Sequence, residues 1–527
     1  MRNKMKRLLL TTVFALLPAI TYAQSIETGQ LGAAQAYDAG VIDARTGGLD
    51  AALWQGTSAK TAVRLMKKLP LSSEKDIVQD MIEAVVLSAG VPPMGDSEGD
   101  TSEYDQTRLK TVMAMGDKEA LDNLAARNPE ITRDPAVRTD IALAGGDVTG
   151  ACQIADNITE GRGTPHWAKL RAFCHIEREE ISAAELTTEL LQGSGHEDAD
   201  FFGLMKVLTG ASKGLPSLKN SSDPLLAVMA IRAGGGANKL SAQTATDPEA
   251  TPEDRIKAVF EFANQLSDAQ ITAAFSDLAF NQEDLVGSSS FDLESAKANI
   301  GPQGTAQIFQ LANSSGDART SVEAMALMLA AADKKNVLSR FATLFENNLA
   351  IIPAGMQAEA DLKLFTRAAI ERGDIGALQG FYQAMPESPQ RLRIALVADA
   401  LGNGFTLGTL GEDIESRLAG TGTEKRRAVR DTFIAAAMGS RLSGEAEEIL
   451  EGIGNGSGIA IKAGDLLALN AAAKAGSRAE TALRAAVMIE RGTLDDPSLA
   501  AVIEALQIAG LSQFAGRLAA EDFAKGL

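Results

Sequence analysis

His166, His175 and His196 fall in one stretch that also holds Cys152, Cys174, Glu177, Glu179, Glu180, Glu197, Asp198 and Asp200, the side chains from which zinc sites are built. No pair has the H-x-x-x-H spacing that sets two imidazoles on one helix face, and C-x-x-C is absent, so the pattern assigns no metal. The run Asp96-Ser97-Glu98-Gly99-Asp100-Thr101-Ser102-Glu103-Tyr104-Asp105 alternates carboxylates as a Ca²⁺ loop does. Its glycine stands fourth instead of sixth, and Thr107 occupies the twelfth place, where a bidentate Glu belongs. It reads as a solvated acidic linker. Lys425, Arg426, Arg427 and Arg430 form the one local basic cluster, a candidate docking patch for an acidic partner. The alternative is a helix face neutralised by Glu412, Asp413, Glu415 and Glu424.

Catalytic patterns are missing. There is no G-x-S-x-G elbow and no G-x-x-x-x-G-K-[ST] loop, and Gly452-Ile453-Gly454-Asn455-Gly456-Ser457-Gly458 follows helical sequence instead of a strand. Ser288-Ser289-Ser290-Phe291-Asp292 ahead of Gly304-Thr305-Ala306-Gln307 is ordered as in lytic transglycosylases, but Ser288-Ser289 stands where their Glu-Ser pair belongs. Without that carboxyl nothing there protonates a glycosidic oxygen. Arg372-Gly373-Asp374 spells an adhesion tripeptide whose last two residues are better read as a joint between helices. The chain reads as a non-enzyme with no cofactor.

Composition narrows the partners. The chain has 527 residues, 50 Lys+Arg against 69 Asp+Glu, and 45% hydrophobic residues, which is too apolar for disorder and too acidic for nucleic-acid binding. Arg2, Lys4, Lys6 and Arg7, the apolar stretch Leu8 to Ile20, and Thr21-Tyr22-Ala23 read as a signal peptide cleaved after Ala23. The expected fate is export, with no membrane-spanning segment left after cleavage. Export exposes Cys152 and Cys174 to oxidation, so they are expected to form a disulfide across the turn-rich Gly161-Gly163-Pro165 segment, joining two antiparallel helices.

Elements that could position such residues are helical throughout. Apolar residues recur at helical spacing, as in Leu499, Val502, Ile503 and Leu506. Asp134-Pro135, Asp223-Pro224, Thr251-Pro252, Ser388-Pro389 and Asp496-Pro497 mark helix starts, with the polar residue as cap. Gly116-Asp117 and Gly373-Asp374, each followed by a near Ala-Leu, and Gly146-Asp147 mark two-residue joints. There a glycine ends one helix left-handed and an aspartate caps the next. Such joints every few dozen residues predict an all-α fold, a right-handed α-solenoid of degenerate antiparallel helix pairs, TPR-like in type. The expected organisation is a signal peptide (1–23), an N-terminal helical segment (24–89), an acidic linker (90–105), disulfide-containing repeats (106–232), a linker (233–253) and a C-terminal array (254–527).

Ala151-Cys152-Gln153-Ile154-Ala155, then Gly163-Thr164-Pro165-His166-Trp167-Ala168-Lys169-Leu170-Arg171-Ala172-Phe173-Cys174 and on through Ala184-Glu185-Leu186 to Asp200-Phe201-Phe202, resembles uncharacterised exported helical-repeat proteins of alphaproteobacteria. Some of these carry the label "antifreeze glycopeptide polyprotein". In type the chain is also similar to periplasmic helical-repeat accessory proteins of the flagellar motor. The resemblance implies a TPR-like periplasmic protein and brings no catalytic residues. The resulting expectation is a scaffold or adaptor binding periplasmic or envelope proteins, with flagellar-motor or cell-wall assemblies in view. A peptidoglycan- or polysaccharide-handling protein is the alternative. A glycan groove would display Trp54, Trp167 or Tyr382 beside acids.

Overall fold

Helices begin where a side chain reaches an orphan amide two or three residues on. Asp134 accepts from Ala136 N at 2.9 Å, Asp223 from Leu225 N at 3.0 Å, Thr251 from Asp254 N at 3.1 Å and Ser388 from Arg391 N at 3.2 Å, each with a proline in the first turn. The fifth expected cap shifts by one residue. Asp495 caps its helix, accepting from Ser498 N at 3.0 Å, and Asp496 is already helical. Gly146 and Gly373 take φ of 79° and 62°, and the aspartates after them accept from Gly150 N and Ala377 N at 2.8 and 2.9 Å. Gly116-Asp117 lies outside the described residues.

The computed structural model describes residues 40–43, 47–71, 73–115, 118–127, 133–216, 223–234, 242–279, 292–299, 301–402, 414, 417–440, 442, 444–452 and 457–527. The first helices are α1 (Ala59–Met66), α2 (Asp76–Val86), α3 (Glu98–Met115) and α4 (Lys118–Arg127). Next come α5 (Pro135–Ala144), α6 (Val148–Asn157), α7 (Pro165–Glu177), α8 (Ile181–Gly193), α9 (Ala199–Leu208) and α10 (Pro224–Ala233). The third group starts with α11 (Pro252–Glu261), α12 (Asp268–Ala279), α13 (Leu293–Ala298), α14 (Pro302–Ser314), α15 (Ala318–Asp333), α16 (Leu338–Leu344) and α17 (Glu346–Ile351). It continues with α18 (Ala354–Glu371), α19 (Ile375–Ala384), α20 (Pro389–Leu401), α21 (Gly422–Ala437) and α22 (Gly444–Gly452). The last are α23 (Ala463–Lys474), α24 (Arg478–Glu490), α25 (Asp496–Ile508) and α26 (Ser512–Ala524). Among the described residues there is no strand, only three isolated bridges. The architecture is all-α. Sequential helices pack as pairs, among them α5 with α6, α7 with α8, α14 with α15 and α19 with α20, in the manner of a TPR-like α-solenoid.

Two cores divide this array. The smaller is built by α5 to α10 around Phe173, Phe201, Leu204 and Met229, and is called the arm below. The larger, the body, takes Trp54, Met81, Ile82 and Leu121 from the N-terminal helices together with Phe275, Phe341, Leu483 and Phe523 from the C-terminal ones. Segments 24–89 and 254–527 are therefore not separate units where they are described. Helix α2 packs on α24 and α26, Leu53 O accepts from Ala479 N at 2.8 Å, and Thr57 donates to Glu480 at 3.0 Å. The acidic stretch 90–105 is also only partly linker, because α3 begins at Glu98. Tyr104 anchors that turn, 2% exposed and edge-on to Trp54 at 5.7 Å. Its carboxylates are met by α1: Lys60 lies 3.2 Å from Asp96 and 3.6 Å from Asp100, and Lys67 lies 2.7 Å from Glu103.

Two local features hold the body in shape. Helix α18 is kinked at Asp361 (φ −164°), which accepts from Leu364 N at 2.9 Å and so restarts the helix as an internal cap. Gly516 lets α26 lie directly on α20, since a Cβ there would stand 2.5 Å from the Ala400 carbonyl oxygen. Gly516→Ala is accordingly expected to push the two helices apart and cost about 1–3 kcal/mol, read as a lowered urea midpoint. An unchanged midpoint would show that the close approach is not needed.

Candidate functional site

Cys152 and Cys174 are joined, with Cα atoms 5.7 Å apart, linking α6 to α7 inside the arm core. Closing a loop with a separation of 22 residues is worth about 3 kcal/mol in the chain-entropy model. Cys152→Ser with Cys174→Ser is therefore expected to lower the arm's unfolding midpoint under oxidising conditions while leaving that of the reduced protein unchanged. Trp167, in the arm core, is the reporter.

The three histidines do separate jobs. His166 Nε2 lies 3.3 Å from the Thr139 hydroxyl and its ring meets Trp167 edge-on at 4.7 Å. His175 pairs with Glu180 at 2.6 Å across the turn between α7 and α8, and His196 packs on Phe202. Among the described residues no three His, Cys, Asp or Glu side chains come together to hold a metal. The aromatics that a glycan groove would display are committed elsewhere. Trp54 and Trp167 are buried in the two cores, and the Tyr382 ring is covered by the Arg391 guanidinium at 4.3 Å.

The basic cluster does not form one surface patch. Lys425 and Arg426 are exposed, but Arg430 turns inward to Asp522 at 2.8 Å and to Asp496 at 2.7 Å. Arg427 reaches Asp522 and Asp431, both at 3.1 Å. These acids lie on α21, α25 and α26, so the two arginines join elements of the body. The charged hydrogen bonds from Arg430, with the charges of Lys525 and Arg427, outweigh burial and hold the Asp522 carboxyl down at about 2. Of the acids expected to neutralise this helix, Glu412, Asp413 and Glu415 lie outside the described residues.

Two cavities collect titratable groups that the sequence reading missed. One of about 500 Å³ lies inside the body, where Asp76 of α2, Glu371 of α18 and Glu521 of α26 converge. Arg517 bonds to Asp80 and Glu371, and lies 3.1 Å from Glu521, so one guanidinium faces several carboxyls. Burial, assisted by the neighbouring acids, pushes Glu371 up to about 8 against the pull of Arg517. This is a junction between the N- and C-terminal parts.

The other, of about 990 Å³, is the cleft between body and arm. Its apolar side comes from Met66, Leu69, Pro70, Leu71 and Met113 of the body and Leu225 of the arm. Gln106, Thr107 and Lys110 of α3 face Asp140, His166 and Lys169 across it. Lys169 is held by Asp198 at 2.8 Å and Lys67 by Glu103 at 2.7 Å. Burial first, then the charges of Asp223 and Asp134, push the Asp140 carboxyl up to about 6, opposed by Lys110 and Lys169. Burial lowers His166, so near neutral pH the cleft presents a carboxylate and a neutral imidazole. Such groups can take a cation, hydrogen-bond to amides, or exchange protons with a bound group. Neither signal is local: Asp140 and His166 become neighbours in the cleft only when α5, α7 and α3 are assembled. No family model matches this chain, and no curated protein or solved structure does. The site is therefore read from its own geometry. No helix among the described residues is long and apolar enough to cross a membrane.

Proposed function

We propose that this protein is an exported, periplasmic α-solenoid scaffold or adaptor that holds a segment of an envelope protein, without catalysing a reaction. The observation that carries the reading is the cleft between the two cores, which combines an apolar side with charged and amide-bearing walls at the upper end of ligand-pocket volumes. Helical-repeat arrays bind peptides through such concave surfaces, using shape and charge instead of special chemistry. Enclosure of Trp54 and Trp167 in the cores weighs against stacking on sugars. The N-terminal pattern up to Ala23 supports export, and the resemblance around Cys152 and Cys174 supports membership among exported repeat proteins. A flagellar-motor or cell-wall assembly is the setting this resemblance favours. Brief crosslinking of the tagged protein in envelope fractions, followed by mass spectrometry, tests it. One or two stoichiometric envelope proteins are expected; retention on cell-wall sacculi with no protein partner would replace the adaptor by a glycan binder.

A further inference from the structure

We infer that the cleft takes an extended peptide segment that lays apolar side chains over the Leu69-Pro70-Leu71 turn and brings a lysine or arginine to Asp140. The inference rests on the adaptor reading and names what its cleft recognises.

Asp140 carries the argument because it is half-buried, lines the cleft, and its carboxyl makes no hydrogen bond or ion pair with any described residue. Its neighbours are otherwise engaged. Asp223 caps α10 through one carboxyl oxygen, accepting from Leu225 N and Leu226 N, and Asp134 caps α5. Lys169 belongs to Asp198, His166 is neutral and meets Thr139, and Lys110 forms no ion pair with Asp140. Lys110 and Lys169 thus act on Asp140 only through their charge at a distance, and the carboxylate is left open to a cation in direct contact. A half-buried carboxylate without a partner is costly, and an incoming ammonium or guanidinium relieves that cost where a neutral ligand does not. Beside it, Leu69, Pro70 and Leu71 form a half-exposed apolar turn, so the two demands together select a basic residue flanked by apolar ones. A volume of about 990 Å³ accommodates several residues in extended form.

The test selects binders from a displayed library of random dodecapeptides on the full chain and on Asp140→Asn, then measures individual peptides by calorimetry. Binders to the unaltered protein are expected to be enriched in a lysine or arginine between apolar residues. Asp140→Asn should weaken them about tenfold without lowering the unfolding midpoint, because the Asp140 carboxyl holds no internal bond and its buried charge is a cost to the fold. Affinity for the unaltered protein should fall as pH drops below about 6, where Asp140 takes up a proton, and the variant's should fall less, by the protonation of His166 alone. Binders without basic residues, or binders indifferent to Asp140→Asn, overturn this inference and leave the adaptor standing. A library that yields no binder overturns both.

Discussion

Replacing Arg517 by leucine is expected to lower stability at pH 7.5 by about 3 kcal/mol and to loosen α2 selectively. The guanidinium, 12% exposed, bonds to Asp80 of α2 and Glu371 of α18 and lies 3.1 Å from Glu521 on its own helix. Without it, carboxyls from three helices face one another with no counter-charge, and the N-terminal part loses its charged anchor to the C-terminal one. Faster amide exchange through residues 76–86, with exchange in α7 of the arm unchanged, is the expected signature. A denaturant midpoint and α2 exchange equal to those of the unaltered protein would dismiss the anchor.

The same junction fixes a pH dependence. A carboxyl raised from its ordinary 4.5 to about 8 favours folding fully below about 4.5, and that contribution drains away as pH rises to 8. Asp76 and Glu521 are raised too, by burial, and act in the same direction. Asp522 works oppositely. Held at about 2 against an ordinary 3.8, it stabilises above 3.8 and is lost as pH falls through 2. The Arg517→Leu deficit should therefore shrink on acidification, chiefly as pH falls through about 8, where Glu371 takes up its proton in the unaltered protein.

What the sequence made legible was what lies within one turn. The Asp-Pro and Gly-Asp marks located helix starts because a cap reaches an amide only two or three residues on, as Asp147 does to Gly150 and Asp374 to Ala377. The disulfide was legible because two cysteines in a chain expected to be exported have one pairing. The closure of the body was not. Thr57 meets Glu480, Ser73 meets Glu490 and Asp80 meets Arg517, partners more than four hundred residues apart whose pairing has no local trace. The same blindness made Arg427 and Arg430 look like surface charge, since the basic run is contiguous while Asp496 and Asp522 arrive from distant helices. Asp140 was invisible for a related reason: a carboxylate is unpartnered only relative to a fold.

Asp431→Asn makes the companion case, and it should differ from Arg517→Leu in kind. Asp431 is fully buried on α21, accepting from Arg393 of α20 at 2.6 Å and Arg417 at 2.8 Å, with Arg427 at 3.1 Å. Asparagine keeps the shape and removes the charge, stranding the buried Arg393 guanidinium at a cost of about 3–5 kcal/mol. Burial already lowers Arg393, with Arg417 and Arg427 adding to the strain and Asp431 opposing it. A guanidinium cannot shed its proton in this range, whereas a carboxyl can gain one. The Asp431→Asn deficit should thus persist from pH 5 to pH 8, while that of Arg517→Leu fades on acidification. Removing the stranded charge as well, in Asp431→Leu with Arg393→Met, should recover much of the loss, because an apolar pair needs no counter-charge. Urea midpoints of the three variants across that pH range decide the matter: a deficit in Asp431→Asn that vanishes at either end would mean the arginines are not what the aspartate restrains.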